Sequence, residues 1–210
     1  MRLFMVRHGE SEHNLKRWYA GQYDSPLSNS GREQAESLKV FLSQFKFDKV
    51  YSSDLSRASE TATIAIPGCT PETTKLLREL DVGCLMNTPV DYEAIRKKYG
   101  ESTPNPITTR DYTQFGGENY EMLAKRISEF CESLVKKDDE LVIAFSHAVA
   151  ISSMIKLTLR NFDIKNIKIP NCNISIFDYN RDVDTWYFTG HISPDFLPGG
   201  TKNFKDSLAP

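Results

Sequence analysis

Apolar residues along this chain fall into short unbroken runs and into stripes at three- and four-residue steps. Leu3-Phe4-Met5-Val6, bounded by Arg2 and Arg7, is the first run and predicts a strand buried on both faces. Ser30 with Glu33 forms a capping-box pattern that predicts a helix start, and Ala35, Leu38, Phe41, Leu42 and Phe45 mark one face of that helix. Val50-Tyr51 predicts a second short strand, which runs into Ser52-Ser53-Asp54-Leu55-Ser56-Arg57 at the start of a second helix. Residues 73–80 predict a third strand ending at Arg78-Glu79-Leu80. Asn119 opens a long helix with Tyr120, Leu123, Ile127, Phe130 and Leu134 on one stripe. Leu141-Val142-Ile143-Ala144-Phe145 is the clearest buried strand; it ends on Ser146-His147 and precedes an apolar helix from about Val149 to Leu159. Residues 172–179 and 185–189 read as a final strand pair joined at Asn180-Arg181-Asp182.

Strands alternating with helices predict an α/β fold, a mainly parallel sheet with helices on both faces. A chain of 210 residues fits one domain, 1–210. Between Asp81 and Gly117 the pattern turns irregular, with Pro89, Pro104, Pro106 and one short helix around 91–99. With few buried anchors, that stretch predicts an insertion, about 81–117, over one rim of the sheet, where specificity usually resides. The tail from Ser193, with Pro194, Pro198, Gly199 and Gly200, reads as irregular.

Composition narrows the classes of function. The net charge of -2 exerts no whole-surface pull on nucleic acid or acidic membranes, so any anion site must be a local cluster of Arg and His. Cys69, Cys84, Cys131 and Cys172 lack the Cys-x-x-Cys spacing of a zinc knuckle or redox pair and read as reduced thiols. No apolar run approaches the roughly 18 residues that span a bilayer. The expectation is a cytoplasmic protein without membrane or nucleic-acid partners.

The chemistry gathers at strand ends. Three apolar strands run into Arg7-His8, Arg57 and His147, and in a parallel sheet such corners share one edge. Two guanidiniums and two imidazoles there would form a positive pocket matched to phosphate oxygens. Asn14, six residues beyond His8, adds a side-chain amide. An imidazole attacks phosphorus only when neutral, so another group must orient His8. Arg7, Arg57 and, if protonated, His147 would neutralise the equatorial oxygens. Glu79 is the best candidate to protonate a leaving alkoxide, with Glu10, Glu12 and Asp81 as alternatives. The four histidines show no metal-ligand spacing, and neither a metal nor a cofactor is expected. His13 reads as an exposed loop residue, His191 as structural or solvated, and Trp18, Tyr19 and Tyr23 as a partly buried aromatic loop.

Arg7-His8-Gly9-Glu10 followed by Asn14 resembles the opening motif of the histidine phosphatase superfamily, the phosphoglycerate mutase-like proteins. Four further blocks are similar in the same order: Gly21-x-x-Asp24-x-Pro26-Leu27, Ser53-Asp54-Leu55-x-Arg57-Ala58, Leu77-Arg78-Glu79 with Gly83, and Gly116-Gly117-Glu118. Ser146-His147 resembles the second catalytic His. The resemblance implies a three-layer phosphoglycerate mutase-like sandwich with His8 as nucleophile and Glu79 as proton donor. It implies phosphate binding by Arg7, Asn14, Arg57 and His147, with Gly21 and Gln22 near a small phosphorylated substrate. The implied activity is a phosphomonoesterase of the histidine acid type. A phosphoglycerate mutase is the alternative, and a non-catalytic phospho-ligand module a third reading. The chain departs from the pattern at Cys84-Leu85-Met86-Asn87 after Gly83 and at Ala148-Val149 after His147.

Overall fold

The computed structural model describes residues 1–164 and 167–193; the tail from Pro194 onward, expected to be irregular, lies outside them. One six-stranded sheet has the order β3-β2-β4-β1-β5-β6. Its strands are β1 Arg2–Arg7, β2 Lys49–Ser53, β3 Glu72–Thr74, β4 Leu141–Ser146, β5 Ile174–Asn180 and β6 Thr185–Ile192. The first four run parallel, while β5 pairs antiparallel with β1 and β6 antiparallel with β5.

The unbroken apolar runs are explained by burial on both faces of the sheet. Leu3 and Met5 of β1, with Val142 and Ala144 of β4, pack toward α7 (Tyr120–Val135) and α8 (Ala148–Leu159). Phe4, Val6, Ile143 and Phe145 face the opposite way, onto α2 (Asn29–Ser37), α3 (Lys39–Leu42) and α4 (Ser56–Ala65). The result is the expected three-layer sandwich. The α7 stripe is buried at Leu123, Ile127, Phe130 and Leu134, and Asn119 caps the helix by accepting from the Met122 amide.

Local structure departs from the sequence expectation in four places. The third strand stops at Thr74, whose hydroxyl accepts from the Leu76 amide and turns the chain into a 3₁₀ turn over Lys75–Leu77. Glu79 therefore stands on irregular chain beyond that turn. The single helix expected from Ser30 through Phe45 is two, because the Leu38 amide donates to the Ala35 carbonyl three residues back and tightens the chain there. Its N-cap is Ser28, not Ser30, since the Ser28 hydroxyl accepts from the Gly31 amide. Finally, the irregular segment is anchored: Val82, Leu85, Ile95, Tyr112 and Phe115 join the larger core cluster, along with the short helices α5 (Tyr92–Tyr99) and α6 (Pro106–Thr109).

Two glycines hold that segment together by close backbone approach. A Cβ on Gly83, at φ +56°, would lie 2.0 Å from the Phe115 carbonyl oxygen, and one on Gly117 would lie 2.4 Å from that of Asp81. Gly83→Ala should therefore lower stability by about 2–4 kcal/mol, combining a left-handed backbone with a backbone clash. A urea titration of the purified variant measures this; an unchanged midpoint would contradict the packing described.

Candidate active site

The first corner follows β1. The His8 amide donates to the Ser146 carbonyl, 3.0 Å, extending the pairing of β1 with β4 by one residue. Gly9 is needed because a Cβ there would sit 2.3 Å from the Gly31 carbonyl oxygen; its amide donates to the Thr61 hydroxyl, 3.0 Å. Asn14 lies in α1 (Glu12–Lys16) as the third helical residue of a capping box with Ser11. Its side-chain oxygen accepts from the Ser11 amide and from Asn171 Nδ2, leaving the amide nitrogen as the end open to an anion. Asn171 also donates to the His8 carbonyl, 2.9 Å.

The second corner joins β2 to α4. Arg57 is 1 % exposed, and its guanidinium donates to the carbonyls of Gly21 and Tyr23, 2.8 Å each, and from Nε toward His8 Nε2 at 3.3 Å. Asp24 returns the tie by accepting from the Ser56 amide, 2.7 Å, at the start of α4. The third corner joins β4 to α8. His147 is fully buried, packs against His8 with ring centroids 5.0 Å apart, and neither of its ring nitrogens has a hydrogen-bond partner among the described residues.

His8 Nδ1 lies 2.6 Å from the Gly9 carbonyl oxygen. A carbonyl only accepts, so Nδ1 carries the proton and Nε2 presents its lone pair. The Gly9 carbonyl is thus the group that orients the ring. Arg7 donates to the Ile169 carbonyl, 2.6 Å, while its buried Nε has no partner among the described residues.

His8, Arg7, Asn14, Gly21, Arg57 and Glu79 line one cavity of about 220 Å³. The Glu79 carboxylate accepts from the amides of Leu80, 2.8 Å, and Val149, 3.2 Å. Gln22 does not line the cavity: its side chain donates to the Glu79 carbonyl and accepts from Arg78. Of the alternative acids, Glu10 accepts from the Ser28 hydroxyl and Asp81 from the Gly83 amide; neither they nor Glu12 line the cavity.

A family model for the histidine phosphatase superfamily, branch 1, matches residues 3–189. The chain belongs to the histidine phosphatase superfamily. It is 30% identical over 202 residues to a Proteus mirabilis protein named probable phosphoglycerate mutase GpmB, covering 91% of this chain and 90% of that one. By structure it is similar to the α-ribazole phosphatase of Shigella flexneri, with a TM-score of 0.80 at 22% identity over 92% of this chain and 97% of that one. It is also similar to the Bacillus anthracis phosphoglycerate mutase, with a TM-score of 0.77 at 23% identity over 90% and 92%. These structural likenesses establish a phosphoglycerate mutase-like fold.

Several residues of this superfamily member escape sequence reading. Arg110, Tyr112, Val82 and Val90 of the irregular segment also line the cavity. Arg126 of α7 donates to the carbonyls of Leu76, Arg78 and Glu79, and to both oxygens of Glu118. Glu118 in turn accepts from the Asp81 amide. The pair clamps the chain on both sides of Glu79. The Gly-Gly-Glu block hints at Glu118, but no local signal marks Arg126. His13 corrects an expectation: it is buried, not exposed, because its ring bridges the Ser25 hydroxyl and Asn87. His191 is exposed on β6 and bonds Ser175. Tyr19 is buried, while Tyr23 is 41% exposed.

Burial, then Arg57 and Arg7, hold the His8 pKa well below 6.5. Burial, then Arg57 and His8, do the same for His147. Both rings are therefore neutral at pH 7, so the protonation on which a charged role for His147 depends is not met in the unliganded site. Burial lowers the Arg57 pKa to about 10, which leaves it charged.

The histidine shifts have a definite sign in stability. The unfolded chain takes up protons below pH 6.5 and the folded chain does not, so stability rises with pH in that window. Each ring contributes up to about 1.4 kcal/mol per pH unit. The Arg78 pair holds Asp54 below its ordinary value, and Glu118, despite its burial, is held down by Arg126 and the Asp81 amide, so neither masks the effect. Urea unfolding should show lower stability at pH 5.5 than at pH 7.5, a gap that His8→Asn should narrow.

Proposed function

We propose that this chain is a phosphomonoesterase that needs no metal and works through phosphohistidine at His8, hydrolysing a small phosphorylated metabolite. The observation that carries the reading is the His8 ring itself. Nδ1–H is tied to Gly9, Nε2 keeps its lone pair and accepts from Arg57 Nε, and Arg57, Arg7 and His147 surround the ring. Arg7, Arg57 and the Asn14 amide would grip the phosphate, and the neutral His147 would donate a hydrogen bond. Nε2 attacks phosphorus as the ester oxygen leaves, and Glu79 supplies the proton to that oxygen. Glu79 then takes a proton from water, which displaces phosphate from Nε2.

The Proteus mirabilis relative named as a probable mutase motivates a second reading, in which phosphate returns to substrate instead of water. A mutase must hold a bisphosphorylated intermediate while it turns over. Beyond the phosphate grip, however, this cavity is lined mainly by Trp18, Tyr19, Leu80, Val82, Val90, Ile107 and Tyr112, with Arg110 the one added cation. Next to the ester, that lining favours a partly apolar alcohol over a second phosphate, whatever the alcohol carries farther out. The deciding experiment follows both products with labelled phosphoglycerates and an aryl phosphate in EDTA. Hydrolysis outpacing phosphoryl return supports the phosphatase; an absolute metal requirement, or return outpacing hydrolysis, would overturn it.

A further inference from the structure

The active cavity has an immediate neighbour. Ile107, Arg110 and Val149 line both the 220 Å³ cavity over His8 and a second one of about 400 Å³. Arg110 and Lys156 line the second cavity together with Thr108, Tyr120 and Ser152, and no carboxylate residue lines it among the described residues. Among the described residues Arg110 forms no ion pair there. The Lys156 ammonium sits 4.4 Å from the Tyr120 ring centroid and donates to the Phe162 carbonyl, 3.3 Å, so it too lacks an acidic partner in the cavity.

Two cations border this space with no carboxylate in its lining, and the charge of the exposed Arg110 weighs on the less exposed Lys156. Burial and then Arg110 lower the Lys156 pKa; Asp163 opposes this but lies outside the lining. An anion between them would remove that repulsion. A neutral alcohol would leave it in place, and a cationic one would increase it.

We propose that the second cavity receives the far end of the leaving alcohol, and that the substrate is a phosphomonoester whose alcohol ends in an anionic group held by Arg110 and Lys156. This rests on the phosphomonoesterase reading above. The second cavity is the larger, so the anion belongs on a chain of several atoms rather than next to the ester. A carboxylate and a second phosphate satisfy the same two donors.

The test compares kcat/KM across three series of alkyl monophosphates of rising length: uncharged at the far end, carboxylate-terminated, and phosphate-terminated. An anionic terminus should gain about tenfold or more over the neutral ester of equal length, by the strength of charged hydrogen bonds, once the chain is long enough. The better of the two charged series identifies the anion. Lys156→Met, which keeps the stem over Tyr120, should shrink that ratio, and Lys156→Glu should turn it toward aminoalkyl phosphates. Equal rates for charged and neutral esters, or a preference untouched in both Lys156 variants, would overturn the proposal while leaving the phosphatase intact. Failure to hydrolyse any ester, aryl phosphates included, would remove the underlying reading and this one with it.

Discussion

His8→Ala should reduce turnover of any phosphomonoester by roughly 10⁴-fold or more, the scale of losing a covalent nucleophile. The fold should survive, because the Arg57 guanidinium keeps its two bonds to the Gly21 and Tyr23 carbonyls. The geometry makes a narrower prediction as well. Nδ1 is committed to the Gly9 carbonyl at 2.6 Å, so phosphate must be carried on Nε2. Wild type mixed briefly with substrate and quenched in base should yield phosphohistidine of the Nε2 isomer, read with isomer-specific antibodies. Phosphate on Nδ1, or on His147, would mean that the orientation of the ring has been misread. A His8→Ala enzyme that still turns over at near wild-type rate would end the mechanism.

How much of this was legible in the sequence divides by the range of the interaction. Phe4-Met5-Val6-Arg7-His8 announces a two-face-buried strand and its reactive end within five residues, because sheet burial writes itself as a local run. The stripe of α7 is equally local. The glycines at 9, 83 and 117 were visible as motif letters, but their reason is contact: each meets backbone from a distant segment where a Cβ has no room. Arg126 and Asn171 gave no warning. Arg126 acts on carbonyls up to 50 positions away and Asn171 on a carbonyl 163 positions away, and such bonds leave no period. His13 was misread for the same reason, since Asn87, which holds its ring, lies 74 positions on. The end of the third strand was mislaid because a Thr hydroxyl competing for one amide terminates an edge strand that three register pairs barely hold.

Glu79→Gln separates the chemical steps. Gln cannot give up a proton, so kcat for an alkyl phosphate, whose leaving group must be protonated, should fall by about 10²–10⁴-fold. A dinitrophenyl phosphate leaves without that help. Its phosphoryl transfer to His8 should remain fast in the variant, while discharge of phosphohistidine, which needs Glu79 as base, becomes slow. The expected record is a burst of phenolate equal to the enzyme concentration followed by a slow steady state. Arg126→Lys should follow the same pattern to a smaller extent. A lysine keeps the charge but cannot span Glu118 and three carbonyls at once, so the Glu79 segment loosens while the acid itself remains. Sensitivity to leaving-group pKa distinguishes this from general destabilisation, which would lower both esters alike. If Glu79→Gln loses the same factor on dinitrophenyl and alkyl esters, with no burst, the proton comes from another group and the clamp around residue 79 has a purely structural role.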